Sequence, residues 1–407
     1  MSDQRSVFGR IIDAVRPSRA DARGRRDRVA GALLGVHVGD SLGATHEFAA
    51  GPNTGRLTRD IVGGGSFGWE AGQPTDDTDL TLAVMRAHLA HPADDDAMLR
   101  DAARRMVGWM DSGPRDIGGT TRRTLSAVKR GVPLDQTGAT GEYSAANGSL
   151  MRCIATGAAI ADRGRRRELT DRIGAITHAL PVCRSATVFY NDLVAELVDG
   201  RAFTDVLDDA LDDPDVNDEV WGAVQDVLTA GPDAPPPVEY GQKQGWVLGS
   251  LRVAVWAAMQ PGAEEALVVV ANAGGDADTN AAIAGGLLGA RVGMSGLPDR
   301  WLDTIWHHDE MVDAAAVFAD RRDDERHDPD RRDRTAATRG PAGTTGGPCA
   351  ADVSRACGAS TRNGGRCRTR LRGGTCPHHG RAGAAGRPSG PVAITGGVAT
   401  DPLARRN

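Results

Sequence analysis

Two short clusters of oxygen-bearing residues carry the chemistry in this chain: Pro74-Thr75-Asp76-Asp77-Thr78-Asp79 and Gly274-Gly275-Asp276-Ala277-Asp278-Thr279. Each precedes a run with helical periodicity and so places Asp and Thr oxygens at a helix N-terminus. Capping accounts for one or two acids per helix, because Ser, Thr and Asp accept from the free N–H groups of the first turn and acids complement its dipole. Five aspartates and three threonines exceed that need. Hard divalent cations such as Mg²⁺ or Mn²⁺ take carboxylate and hydroxyl oxygens. Two facing clusters suit two such ions about 3.5 to 4 Å apart, the spacing used in metal-assisted displacements.

Rival motifs fail on the letters. An EF-hand loop beginning at Asp276 needs glycine and glutamate where Ala281 and Leu287 stand, and an aspartyl-phosphate motif needs threonine one position beyond Thr279. GxxxxGK[ST], HExxH and GxSxG do not occur, and GxGxxG does not occur in a strand-to-helix setting, so P-loop hydrolysis and serine-type acyl transfer lose their main support.

A second ligand set lies near the end of the chain, Cys357-x9-Cys367-x8-Cys376-x2-His379, with His378 as the alternative fourth member. Three thiolates and an imidazole make a closed tetrahedral Zn²⁺ set, and so small a segment with few apolar residues needs the metal to fold. Clustering of this kind without an export signal favours metal over disulfides. Cys153 and Cys183, by contrast, read as small buried hydrophobes. Residues 351–382 hold 7 Arg and 1 acid, which suits a phosphate-rich partner such as nucleic acid. No aromatic interleaves them to stack on bases, so a docking or solubilising tail is an equal alternative.

The elements that must position the clusters are helices. Leu80–Leu89, Ala102–Trp109, Leu150–Ala161, Ser185–Leu197, Trp246–Ala258, Glu264–Asn272 and Asn280–Val292 are the clearest segments, and the expected fold is all-α. Gly31, Gly35, Gly39 and Gly43 recur every four residues, as do Gly285, Gly289 and Gly293. Such ladders leave a helix stripe without side chains, along which another helix can approach closely. Each glycine costs a helix about 1 kcal/mol relative to alanine, so the repetition implies a packing requirement.

Composition bounds the rest. The 53 glycines among 407 residues are near twice the usual share, but no G-X-Y period makes them collagen. Residues 321–407 carry 17 Arg against 8 acids, so the whole-chain charge of -6 divides into an acidic body and a basic tail. Lys129 and Lys243 are the only lysines among 48 basic residues, a bias that reads as a GC-rich genome rather than as phosphate binding. The organisation expected is an arm at 1–25, a helical body at 26–320, a charged and Gly/Pro-rich linker at 321–350, a zinc module at 351–381 and a disordered tail at 382–407. Apolar runs such as Val253–Met259 are too short to span a bilayer, and Met1–Arg28 lacks the apolar stretch of a signal peptide. The expectation is a cytoplasmic monomer.

The chain resembles the ADP-ribosylglycohydrolase family, which includes the dinitrogenase-reductase-activating glycohydrolase. The resemblance rests on GALLGVHVGDSLGATHEF at 31–48, PTDDTDLTLAVM at 74–85, DIGGTTRRTL at 116–125, NGSLMR at 147–152, THALP at 177–181 and ANAGGDADTNAAIAGGLLGARVG at 271–293. It covers roughly residues 26–310, and the last block is the most specific. The tail resembles short zinc-binding appendages of bacterial and phage proteins.

The family resemblance implies an all-α fold with a binuclear Mg²⁺ or Mn²⁺ site. The implied ligands are Thr75, Asp76, Asp77, Asp276, Asp278 and Thr279. Glu47 matches a glutamate beside the metals, Asp116 an aspartate of the substrate cleft, and His178 a histidine near the metals. Asn147, Gly148, Ser149, Met151 and Arg152 match a loop that approaches the phosphates and ribose of ADP-ribose. The implied reaction is hydrolysis of the glycosidic bond at ribose C1″ of an ADP-ribosylated protein side chain, an arginine linkage being favoured, through an oxocarbenium-like centre. Glu47 or Asp77 is the candidate for proton transfer. The alternatives are a non-catalytic ADP-ribose-binding or structural protein, and a hydrolase of a free ADP-ribosyl metabolite or of ADP-ribosylated nucleic acid.

Overall fold

Fourteen α-helices run through residues 22–141 and 144–327, the part of the chain that the computed structural model describes. They are α1 (Ala22–Gly43), α2 (Asp76–Ala90), α3 (Asp95–Asp111), α4 (Gly119–Lys129), α5 (Ile154–Ala159), α6 (Arg163–Ala175), α7 (Pro181–Val198), α8 (Phe203–Leu211), α9 (Asp218–Ala230), α10 (Val247–Met259), α11 (Ala263–Ala271), α12 (Ala277–Val292), α13 (Asp299–Leu302) and α14 (His308–His327). Among the described residues no strand forms, and pairing is limited to isolated bridges such as Ala146 with Trp246. The mainly helical expectation holds. The zinc set Cys357, Cys367, Cys376 and His379, the linker beyond His327 and the tail lie outside the described residues.

Local chemistry sets the helix ends. Asp94, Asp162 and Asn217 cap α3, α6 and α9 by accepting from Ala97 N (2.9 Å), Arg165 N (2.8 Å) and Glu219 N (2.8 Å). Pro181 opens α7, where its missing N–H costs nothing. Gly231 and Gly293, with φ of 80° and 78°, close α9 and α12.

The centre of the body is the pair α1 and α12. A Cβ at Gly31, Gly35, Gly39 or Gly43 would fall on the carbonyl oxygen of Gly289, Gly285, Ala281 or Ala277, so the two ladders face each other backbone to backbone. Around them, Val29, Leu33, Leu34, Val36, Val38, Leu80, Val84, Leu287 and Leu288 are fully buried, each contributing about 1.5–3 kcal/mol of transfer free energy. The pairing also sets a register. Gly43, at the end of α1, lies beside Ala277, at the start of α12.

The charged run beginning at Arg321, which composition reads as a linker, is helical as far as His327. Arg322 explains its first turn. It is fully buried, donates to the carbonyls of Gly157 (3.0 Å), Ile160 (2.8 Å) and Ala195 (3.0 Å), and pairs with Asp199 at 2.7 Å. These oxygens lie at or near the C-terminal ends of α5 and α7, where helix carbonyls lack partners within the helix. Arg166 is buried similarly, on Asp192 at 2.9 Å.

Candidate active site and metal centre

The two acidic clusters sit at the N-termini of α2 and α12. Thr75 is the N-cap of α2, and its hydroxyl accepts from Asp77 N at 3.4 Å. The other free donors of that turn go to a residue outside the cluster. Asp40, buried near the end of α1, accepts from Thr75 N (3.1 Å), Thr78 N (3.2 Å) and the Thr78 hydroxyl through one oxygen, Oδ2. Asp76 and Asp77 are thereby left free of capping duty. Asp276 occupies the N-cap of α12 but makes no capping bond with its side chain, and instead accepts from Asn147 Nδ2 at 2.6 Å.

Thr279 Oγ1 donates to Asp77 Oδ2 at 3.1 Å, and Thr75 Oγ1 donates to the same oxygen at 3.2 Å. One carboxylate oxygen therefore receives a hydroxyl from each cluster. Residues far apart in sequence share a single centre because α1, which carries Asp40, lies against α12.

A third contribution comes from the turn after α1. Phe48 N donates to Gly275 O (2.7 Å) and Gly275 N to Ala49 O (2.8 Å), which fastens residues 48–49 to the start of α12. Gly274 and Gly275 take φ of 77° and 66°, a conformation that glycine adopts without a Cβ penalty. The fastening turns Glu47 inward, to 5 % exposure, while Phe48 at φ 64° points out. Glu47, Asp276 and Asp278 each bring a carboxylate oxygen within 4.8 Å of the others. The family resemblance gives Glu47 as a neighbour of the metals; the geometry places it in a group able to hold one.

Burial and mutual repulsion dominate the electrostatics. Burial first, then Asp116, Asp276, Asp76 and Asp40, push the Glu47 carboxyl up to about 9. Burial raises Asp276 to about 6 and holds Asp76, Asp77 and Asp278 well above the ordinary carboxylate range, neighbouring carboxylates adding to each. Asp116, half-buried in the loop between α3 and α4, is raised by burial too. Glu47 Oε2 and Asp77 Oδ1 are buried without a hydrogen-bond partner among the described residues. Hard oxygens, orphaned lone pairs and accumulated negative charge fit divalent cations of the Mg²⁺ type.

The remaining candidates form the wall. Asn147, Gly148 and Ser149 make one short 3₁₀ turn, with Asn147 N donating to Gly245 O at 3.0 Å and Asn147 Nδ2 also to Ser250 Oγ at 2.9 Å. Ser149 is buried on Thr187 Oγ1 at 3.1 Å, and Met151 on Thr81, whose hydroxyl donates to its carbonyl at 3.3 Å. Arg152 is fully buried beneath the turn, its guanidinium bonded to Gly148 O, to Ile173 O (3.2 Å) and to Thr177 Oγ1 (2.8 Å). His178 packs its ring against Gly148 and bonds Thr177 Oγ1 through Nδ1 at 2.7 Å. Burial, then Arg152 and Arg123, hold that imidazole neutral with a pKa of about 3. Both side chains support the turn from below.

Sequence reasoning missed Asp40, Gly245 and Ser250 as parts of this site. Asp40 had one signal, an acid next to Gly39 on a helix that must be buried along its glycine stripe. Gly245 and Ser250 had none, since their roles depend on where residues 144–149 cross α10.

Comparison with known proteins gives the same family. A sequence profile described as ADP-ribosylglycohydrolase matches residues 21–328. The ADP-ribosyl-[dinitrogen reductase] glycohydrolase of Rhodospirillum rubrum is 30 % identical over 287 residues, covering 69 % of this chain and 90 % of that protein. ADP-ribosylarginine hydrolase Tri1 of Serratia proteamaculans (strain 568) is 28 % identical over 308 residues, 71 % of this chain and 78 % of its own. Among solved structures, a chain of an ADP-ribosylglycohydrolase-related protein complex superposes with a TM-score of 0.62 at 30 % identity, covering 74 % of this chain and 99 % of that one. With the acidic centre at the meeting of α1, α2 and α12, and with a profile match spanning the helical body, the chain belongs to the ADP-ribosylglycohydrolase family.

Proposed function

We propose that this protein hydrolyses the bond between ribose C1″ of ADP-ribose and a side chain of a modified protein, arginine being the first linkage to test. One observation carries the reading: Glu47, Asp276 and Asp278 converge within 4.8 Å beside Asp76 and Asp77, with buried oxygens left unpartnered. The names of relatives from Rhodospirillum and Serratia support the substrate class.

Thr75, Asp76, Asp77, Asp276, Asp278 and Thr279 are the residues that would hold two Mg²⁺ or Mn²⁺ ions. Bound there, the ions would supply hydroxyl binding at the ribose and polarise a water for attack. The chain's own residues do the rest. The carboxylates of Asp76, Asp77 and Asp278 face the positive charge that develops at C1″ as the bond opens. Glu47, with Asp77 as the second candidate, moves a proton between water and the leaving nitrogen. Asn147 holds Asp276 in place through its 2.6 Å hydrogen bond, and the backbone N–H groups of its turn suit the diphosphate.

The test is purified protein in Mg²⁺, Mn²⁺ or EDTA against arginine-linked, serine-linked and nucleic-acid-linked ADP-ribose and free ADP-ribosyl metabolites, reading released ADP-ribose. Metal-dependent release from arginine-linked protein is expected, and it disappears in Asp276→Ala and Asp278→Ala. Full activity of either variant, or in EDTA, overturns the metal reading. Release only from a metabolite or nucleic acid moves the substrate. Zinc at one equivalent per chain, lost in Cys367→Ser, checks the Zn²⁺ reading of the tail in the same preparation.

A further inference from the structure

Beside Glu47 stands an arch whose aromatic side chains the hydrolytic reading does not use. Residues 63–68 turn through four glycines of positive φ, Gly63, Gly64, Gly65 and Gly68, and close on reciprocal hydrogen bonds between Gly64 and Trp69, both 2.8 Å. The arch is tied to the turn that carries Glu47: Thr45 Oγ1 donates to Gly63 O at 3.0 Å and Ser66 Oγ to Glu47 O at 3.2 Å. Phe67, near the tip, meets Phe48 edge-on with ring centroids 6.0 Å apart and lies 5.9 Å from the ring of Trp69.

Phe48 is the only non-glycine residue with positive φ among the described residues, and it is 48 % exposed. A bulky residue in that region costs about 1 to 3 kcal/mol, and an exposed ring gains little from burial to offset it. The Trp69 indole N–H is buried without an acceptor among the described residues. Arg115 already lies over the Trp69 ring, 5.4 Å from its centroid, and donates to Gly68 O at 2.9 Å. This edge of the site therefore presents the rings of Phe48 and Phe67, with its arginine engaged.

The edge at Asn147 has a different chemistry. There Asn147 and Gly245 flank Asp276, and the backbone N–H groups of Gly148 and Ser149 follow in the same short turn. Those groups suit a diphosphate, whereas aromatic faces suit a planar cation or apolar side chain. Adenine stacks on rings as well, but the arch is bonded to the Glu47 backbone through Ser66 at 3.2 Å, beside the bond to be cleaved, and the group that leaves there is the acceptor.

Resting on the hydrolase reading above, we propose that Phe48 and Phe67 form a platform for the acceptor side of the substrate. They hold the modified side chain of an ADP-ribosylated protein and its flanking polypeptide against Glu47. The rings set which acceptor is used and leave the ADP-ribose half to the other edge.

Phe67→Ala separates the halves. On arginine-linked ADP-ribosylated protein it is expected to raise KM about five- to twentyfold with kcat held within about twofold, and Phe67→Tyr, which keeps a ring, restores KM. Affinity for free ADP-ribose, which lacks the acceptor, stays within about twofold and shows that the fold is intact. An equal loss of affinity for free ADP-ribose overturns the proposal by assigning the rings to the nucleotide half, and an unchanged KM overturns it outright. The same comparison in a Glu47→Gln background, reading affinity for intact modified protein against that for ADP-ribose, does not depend on turnover. A wild-type protein that releases ADP-ribose from no linkage sinks the hydrolase reading, and this binding arm still decides the platform.

Discussion

Asp77 Oδ2 is the atom on which the centre turns, since it takes one hydroxyl from Thr75 and another from Thr279 while Oδ1 stays unpartnered. A carboxylate so held is oriented before anything binds, and orientation paid for during folding need not be repeated at each turnover. Glu47 is positioned differently, by the backbone pairing of Phe48 and Ala49 with Gly275. In the proposed reaction Glu47 carries the proton while Asp77 stays fixed. Glu47→Gln keeps size and hydrogen bonding, and its kcat is expected to fall by about a hundredfold or more with ADP-ribose affinity within about threefold. Measured turnover equal to wild type removes Glu47 from the chemistry. The acidic residues were legible in the sequence as a donor set, because too many oxygens stood at two helix starts for capping to explain. Asp40 showed only as an acid beside Gly39, because its partners, two backbone N–H groups and the Thr78 hydroxyl, stand at the start of a helix at least 35 residues away.

At the scale of elements, the contact between α1 and α12 brings the centre together. The glycine ladders were legible as stripes for close approach, but nothing in either stripe says which helix it meets. That they meet each other follows from complementary absence of side chains over several turns, with Gly35 against Gly285 and Gly31 against Gly289. Gly35→Ala puts a methyl group on a backbone oxygen that no rotamer change can move. A loss of about 3 kcal/mol or more in folding free energy is expected from urea unfolding. A substitution that leaves the unfolding midpoint unchanged shows that the two backbones do not touch there. Gly222 on α9 meets no atom within 4 Å of an added Cβ, so Gly222→Ala is the control that leaves packing intact.

Across the whole molecule, ionisable groups are buried to hold helices together as well as to build the site. Arg322 and Arg166 satisfy carbonyls and carboxylates inside the body, and arginine content alone could not separate them from the surface arginines of a GC-rich composition. Three imidazoles, His37, His88 and His178, are pushed by burial to pKa values of about 3. The unfolded chain takes up these protons near pH 6.5 and the folded one only near pH 3, so stability is lost as pH falls through that window. Each group costs about 2 kcal/mol between pH 6.5 and pH 5. His88, which bonds Thr156 Oγ1 at 2.9 Å away from the acidic centre, is the one to change. Urea unfolding at pH 7 and pH 5 is expected to show His88→Gln losing about 2 kcal/mol less than wild type, and parallel losses would mean that His88 titrates normally in the folded state.

The amino-acid sequence by itself determined what is local: helical periodicity, the glycine spacing and the density of Asp and Thr at two helix starts, each readable within a dozen residues. Tertiary structure decided which local pieces coincide. Asp77 and Thr279 share a hydrogen bond across 202 residues, and Glu47 joins Asp276 and Asp278 only because α1 ends level with the start of α12. The reason is physical. Propensity and capping act along a few turns of chain, whereas the register between helices is set by backbone contact and burial over their whole length, which exists only once both are packed.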